Sequence, residues 1–150
     1  MRTSRAAVDQ FLAKPALAIV GVSRSGRKFG NLAMRELRVR GYRVYPIHPI
    51  AQTIDAVPCY ASFEKLPEKV DAVLVVVPSI AASEVVRDAA AAGVRHVWLQ
   101  QGAESPALVA LCRHLGLTVV SNECVLMHAQ PKGFHKLHRW IWGALGKLPA

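Results

Sequence analysis

The chain has 150 residues, 52% of them hydrophobic and 19% charged, a balance that suits one globular domain and excludes disordered and fibrous classes. No run of about 18 uncharged apolar residues occurs, so nothing reads as a membrane-spanning helix. The net charge of +9 is uneven: residues 1–50 carry ten Lys/Arg against two acids, residues 51–131 five against eight, and residues 132–150 four against none. Charge clustered in this way fits a polyanionic small ligand as well as it fits nucleic acid, and composition does not choose between them.

Residues 1–16 carry Arg2, Arg5, Asp9 and Lys14 among apolar residues and lack the continuous apolar stretch of a secretory signal, so the cytoplasm is the default expectation. Ala16 to Val20 reads as a short buried strand closed by Gly21. A helix is expected from about Lys28 to Arg40, with Gly30, Ala33, Met34 and Leu37 on its apolar face and Gly41 as its left-handed stop. Arg43 to Ile47 reads as a second strand. Residues 50–69 are less regular, with a short strand at Val57 to Tyr60. Asp71 to Val77 is the clearest strand, because Val73 to Val77 form an unbroken β-branched or Leu run that suits a central parallel strand. A helix follows with Ser79 as its N-cap and Gly93 as its stop, and then a strand from Val94 to Leu99. Ser105-Pro106 opens another helix that Gly116 ends, and Leu117 to Val120 is the last strand. This alternation predicts an α/β fold. It is a single doubly wound Rossmann-like domain with a mostly parallel five- or six-stranded sheet, a core at about 10–127 and a tail at 128–150.

In such a sheet a ligand sits beyond the carboxyl ends of the strands. The first crossover runs Gly21, Val22, Ser23, Arg24, Ser25, Gly26, Arg27, Lys28, Phe29, Gly30, Asn31. Its glycines allow close backbone approach, the helix start offers unpaired N–H groups, and Arg24, Arg27 and Lys28 supply countercharge, a combination suited to phosphate. The spacing is neither the dinucleotide GxGxxG nor a P-loop. The second strand ends Pro46, Ile47, His48, Pro49 with no carboxylate for a ribose hydroxyl, which disfavours NAD; NADP survives through nearby Arg40 and Arg43.

Gly21-Val22-Ser23 with Lys28-Phe29-Gly30-Asn31, then Tyr45-Pro46-Ile47-His48-Pro49, then Trp98-Leu99-Gln100-Gln101-Gly102, resembles the stand-alone CoA-binding protein family. Those proteins resemble in turn the CoA-binding domain of the succinyl-CoA synthetase α subunit. The resemblance covers roughly residues 10–127, with the three blocks in order, and departs from the family at His48, where Asn is usual. It implies coenzyme A or an acyl-CoA lying across the strand ends. Loop 21–31 would hold the phosphates, Pro46, His48, Pro49, Val77 and Pro78 would flank the adenosine half, and Gln100, Gln101 and Gly102 would line the same crevice.

No GxSxG elbow, HExxH or strand-end carboxylate pair is present, so the chain reads as a ligand-binding protein with no recognisable catalytic residues rather than an enzyme. The alternative is an NADP-dependent oxidoreductase domain; nucleic-acid binding is a third and weaker reading. The cysteines Cys59, Cys112 and Cys124 are unpaired in pattern and read as reduced thiols, with Cys124 just past a strand end. In the tail, His128, His135 and His138 do not complete a metal site. Phe134, Leu137, Trp140, Ile141, Ala144, Leu145 and Leu148 recur at helical spacing among basic residues. Docking of that segment on its own domain, or on a second subunit as a homo-oligomer, is preferred to a membrane surface. Lys28→Glu and Gly30→Val are expected to remove ligand binding and leave the fold intact.

Overall fold

A computed structural model describes residues 3–129. In chain order the elements are α1 (Arg5–Leu12), β1 (Ala16–Val20), α2 (Phe29–Val39), β2 (Arg43–Ile47), β3 (Thr53–Ile54), β4 (Val57–Pro58), a 3₁₀ turn (Phe63–Lys65), β5 (Ala72–Val75), α3 (Ser79–Ala91), β6 (His96–Gln100), α4 (Pro106–His114), β7 (Thr118–Glu123) and α5 (Val125–His128). Five strands form one sheet in the order β2-β1-β5-β6-β7, every neighbouring pair parallel. The small antiparallel hairpin β3-β4 stands apart from it.

Strand alternation sorts the core onto two faces. Leu17 and Ile19 of β1, Leu74 of β5 and Trp98 of β6 pack under α1, α2 and α5. Ala18, Val73, Val75, Val97 and Leu99 pack on the other face, against α3 and α4. Helices on both faces explain why β5 is apolar throughout. The fold is thus the expected doubly wound Rossmann-like arrangement, with five strands in the main sheet.

Helix ends follow local chemistry. α2, α3 and α4 all stop on the same motif: the N–H of Gly41, Gly93 or Gly116 and that of the following residue turn back onto carbonyls of the last helical turn. Ser105 caps α4 by accepting from Leu108 N–H at 3.1 Å. Ser79 does not cap α3. Pro78 holds the N-cap position in extended backbone, and its carbonyl starts the helix by accepting from Ala81 and Ala82, so Ser79 falls one residue inside.

Several boundaries differ from expectation, among them those of β6, which runs His96–Gln100 rather than Val94 to Leu99. β5 stops at Val75; Val76 N–H still donates to the Val20 carbonyl at 2.8 Å, and residues 76–78 then form the mouth of the cleft described below. β7 runs on to Glu123, with a register shift opposite Trp98 and Gln100. Val57 to Tyr60 divides into β4 and a single bridge from Tyr60 to Ile47. The helix α1 has no counterpart among the expected elements. The tail segment 134–148, with its docking and metal readings, lies outside the described residues.

Candidate functional site

The strand order reverses between β1 and β5, and the β1–α2 loop emerges at that switch point. Gly21, at φ +121°, runs so close to the end of β5 that a Cβ on it would stand 2.6 Å from the Val76 carbonyl oxygen. A Cβ on Gly30 would stand 2.3 Å from the carbonyl oxygen of Gly21. Backbone therefore meets backbone twice, with α2 seated on the exit of β1 and that exit seated on β5.

Asn31 secures the loop from behind. It is fully buried. Its Oδ1 accepts from Ser23 N–H at 3.0 Å, and its Nδ2 donates to the Ser23 carbonyl at 2.8 Å and to Asp55 Oδ2 at 3.1 Å. Three bonds leave the side chain well satisfied inside the protein, so its work is to shape the loop. Ser23 Oγ accepts from Ser25 N–H, Ser25 Oγ from Arg27 N–H, and Gly26 N–H donates to the Ser23 carbonyl. Arg35 adds an outer tie, donating from Nη1 to the Gly26 carbonyl at 3.3 Å and to Asp55 at 3.1 Å.

The loop's own cations are left over. Arg24, Arg27 and Lys28 are exposed and enter no ion pair among the described residues. Lys28 is the N-cap of α2, and nothing on its side chain caps the helix, so the first amides of α2 have no side-chain acceptor there. A helix N-terminus with three uncommitted cations around it has the chemistry that suits an anion.

Beside this loop lies an open cleft of about 480 Å³, lined by residues 21–25, Lys28, His48 and residues 76–78. The structure thus brings Gly21, Val22, Ser23, Arg24, Lys28, His48, Val77 and Pro78 together, and it adds Ser25 and Val76. Arg27 is on the exposed side of the loop, and Phe29 is half-buried at the start of α2. Gly30 and Asn31 are buried behind the loop, Pro46 is buried in β2, and Pro49 is exposed next to His48. His48 Nδ1 accepts from the N–H groups of Ile50 (3.1 Å) and Ala51 (2.9 Å), the bonds that an Asn side-chain oxygen makes in an Asx turn. The ring therefore does the turn-forming work of an Asn and keeps its Nε2–H as a donor.

Gln100, Gln101 and Gly102 separate. The Gln100 side chain is buried, and its Oε1 accepts from Val125 N–H at 3.1 Å, tying β6 to the start of α5. Gln101 and Gly102 are exposed in the turn that Ala103 N–H closes on the Gln100 carbonyl. None of the three lines the cleft at the β1 loop.

The perturbed titratable groups lie elsewhere. At the start of β2, hydrogen bonds from Arg43 and Tyr45 hold the Glu68 carboxyl down at about 2. Burial pushes the Cys112 thiol up to about 11 and raises that of Cys59, as suits reduced, unreactive cysteines. Cys124 is half-buried at the N-terminal end of α5. Among the described residues no cluster of His, Cys, Asp and Glu is arranged to hold a metal ion, and no helix is long and apolar enough to cross a membrane. Asp55 was not a sequence candidate; the turn Ile54-Asp55-Ala56-Val57 carries no Gly, which is the usual signal for such a hairpin.

Comparison with known proteins adds to this geometry. The model of one protein family, described as a CoA binding domain, matches residues 16–130. Acetate–CoA ligase [ADP-forming] I of Archaeoglobus fulgidus is 28% identical over an alignment of 121 positions that covers 74% of this chain and 18% of the ligase. The α subunit of acetate–CoA ligase [ADP-forming] II of Pyrococcus furiosus is 24% identical over 79% of this chain and 28% of its own length. The chain thus spans about a fifth to a quarter of these curated relatives. Among solved structures, a conserved hypothetical protein from Pyrococcus furiosus superposes with a TM-score of 0.69 at 32% identity, covering 74% of this chain and 96% of that one. A dinucleotide-forming acetyl-coenzyme A synthetase of Ca. Korarchaeum cryptofilum, solved with phosphate and ADP, gives a TM-score of 0.64 at 27% identity over 77% of this chain and 29% of the synthetase.

Proposed function

The chain belongs to the CoA-binding domain family, and from that premise we propose that the cleft at the β1–α2 loop holds the 3′-phospho-ADP end of coenzyme A or of an acyl-CoA. The observation that carries the reading is the set of three uncommitted cations, Arg24, Arg27 and Lys28, on a loop fixed from behind by Asn31 and fitted against the exit of β5. Coenzyme A brings a pyrophosphate and a 3′-phosphate to such a place, and each gains more from an unpaired cation than from one already neutralised by a carboxylate.

In this reading the amides of loop 21–31 and the start of α2 face the pyrophosphate. His48, Pro49, Val77 and Pro78 flank the adenosine, with Pro46 behind them. The pantetheine arm leads over the strand ends toward Gln101 and Gly102, while Gln100 supports that end by holding α5. The residues proposed here bind and orient, and none is assigned a covalent or proton-transfer step. The ligase activity of the relatives belongs to chains several times longer, so the proposal concerns ligand binding alone.

Calorimetric titration with coenzyme A, 3′-dephospho-coenzyme A, NADP and NAD in parallel tests it. One coenzyme A per chain at micromolar strength is expected, with weaker binding of the dephospho form and none of NAD. Lys28→Glu, an exposed change, is expected to weaken binding at least tenfold without moving the melting temperature. Binding of NADP in preference to coenzyme A would replace the reading with the oxidoreductase alternative.

A further inference from the structure

The ligand loop is held by a residue from a different part of the chain. β3 and β4 pair Ile54 with Val57, which leaves Asp55 and Ala56 as a two-residue hairpin turn. Both are left-handed, Asp55 at φ 51° and Ala56 at φ 62°, where Asn-Gly or Asp-Gly would be the unstrained choice. From that turn Asp55 Oδ2 accepts from Asn31 Nδ2 and from Arg35 Nη1, each at 3.1 Å. Asn31 in turn holds both backbone groups of Ser23, and Arg35 holds the Gly26 carbonyl. The carboxylate is thus the common anchor of the two side chains that shape loop 23–26. Its second oxygen lies 3.1 Å from where a Cβ on Gly26 would stand.

An anion-binding loop gains nothing electrostatically from a carboxylate beneath it. Asp55 adds negative charge behind the loop that carries Arg24, Arg27 and Lys28, which opposes the binding of a phosphate. A carboxylate unfavourable in charge, carried on a turn that is strained at Ala56, persists where it does other work. We infer that Asp55 is a positioning residue for the ligand loop: through Asn31 and Arg35 it fixes the backbone of Ser23 to Gly26 in the shape that receives the anion. This rests on the reading of the loop as the phosphate-holding element.

The two roles, surface charge and anchor, predict opposite signs for one substitution. Gly adopts the left-handed turn without strain, so Asp55→Gly preserves the hairpin and removes both the charge and the acceptor, whereas Asp55→Asn removes the charge and keeps a side-chain oxygen that accepts from Asn31 and Arg35. If Asp55 were only a charge near the site, both substitutions would tighten binding of coenzyme A. As an anchor, its loss in Asp55→Gly is expected to weaken binding about fivefold. In the free protein the Ser23 and Gly26 amides of Asp55→Gly should exchange hydrogen at least tenfold faster, with the melting temperature little changed. In an Arg35→Gln background the further loss from Asp55→Gly should shrink, because one of its two routes is already cut. Ala56→Gly, which relaxes the turn without touching the carboxylate, is expected to raise the melting temperature and leave affinity unchanged. Unchanged amide exchange, or tighter binding, in Asp55→Gly overturns the inference. A wild-type protein that binds no coenzyme A would overturn the ligand reading instead, and the exchange measurement would still decide the anchor.

Discussion

A methyl group added at Gly30 would stand 2.3 Å from the Gly21 carbonyl oxygen and 2.8 Å from its carbon, and neither of those backbone atoms can turn aside as a side chain would. Overpacking of this kind costs about 3 kcal/mol at its upper range, and the better helix propensity of alanine returns about 1 kcal/mol. Gly30→Ala is therefore expected to destabilise the chain by about 2 kcal/mol, read as a lower denaturant midpoint. This revises the expectation that Gly30→Val would spare the fold: a larger residue must push α2 off β1, and Lys28→Glu is the cleaner probe of binding. The glycines of the loop were legible in the sequence as marks of close approach. What they approach was not, because the Val76 carbonyl is more than fifty residues away and only the β1–β5 pairing brings it near. Asn31 was likewise read as a ligand contact by its place in the motif, whereas its bonds run to Ser23 and Asp55.

Among elements, the central strands and the helices that follow them were readable because each carries a clear period, a glycine stop or a cap. The first helix escaped notice. Its eight residues bury only Ala7, Val8 and Phe11, two turns of pattern at most, and it precedes the segment matched by the family. Tertiary contact makes it worth forming. Phe11 is buried edge-on against Trp98 with ring centroids 5.2 Å apart, and Ser4 caps the helix by accepting from Ala7 N–H. Phe11→Ala is expected to cost about 3–5 kcal/mol in equilibrium unfolding, and Ser4→Ala about 1 kcal/mol. The same N-terminal stretch covers an edge of the sheet: Thr3 Oγ1 donates to the Ser121 carbonyl and accepts from Ser121 N–H on β7. At the opposite edge, β2 contains Pro46, which has no N–H to offer, and its outer side is bridged by Tyr60.

For the molecule as a whole, acid tests two groups in different windows. His96 lies at the start of β6 beside Asp71, whose carboxylate is also held by Lys14 at 2.6 Å, and burial lowers the pKa of its imidazole below the usual 6.5. The folded state keeps this ring neutral. Its contribution to stability is complete above 6.5 and is lost as pH falls through the depressed value, since the unfolded chain takes the proton first. Glu68 also titrates low, at about 2 against 4.5, so what it contributes is present above 4.5 and is lost only between those values. The melting temperature is therefore expected to fall between pH 7 and 5 in the wild type and to fall less in His96→Gln; equal slopes would remove His96 from the account. The bare contact of Gly21, Gly30 and Val76 has one more consequence. Because both ends of the loop are packed backbone against backbone before anything binds, a ligand entering the proposed cleft would meet a preorganised receptor and forfeit little conformational entropy of the chain, which would leave its residence time to be set by charge and shape rather than by refolding.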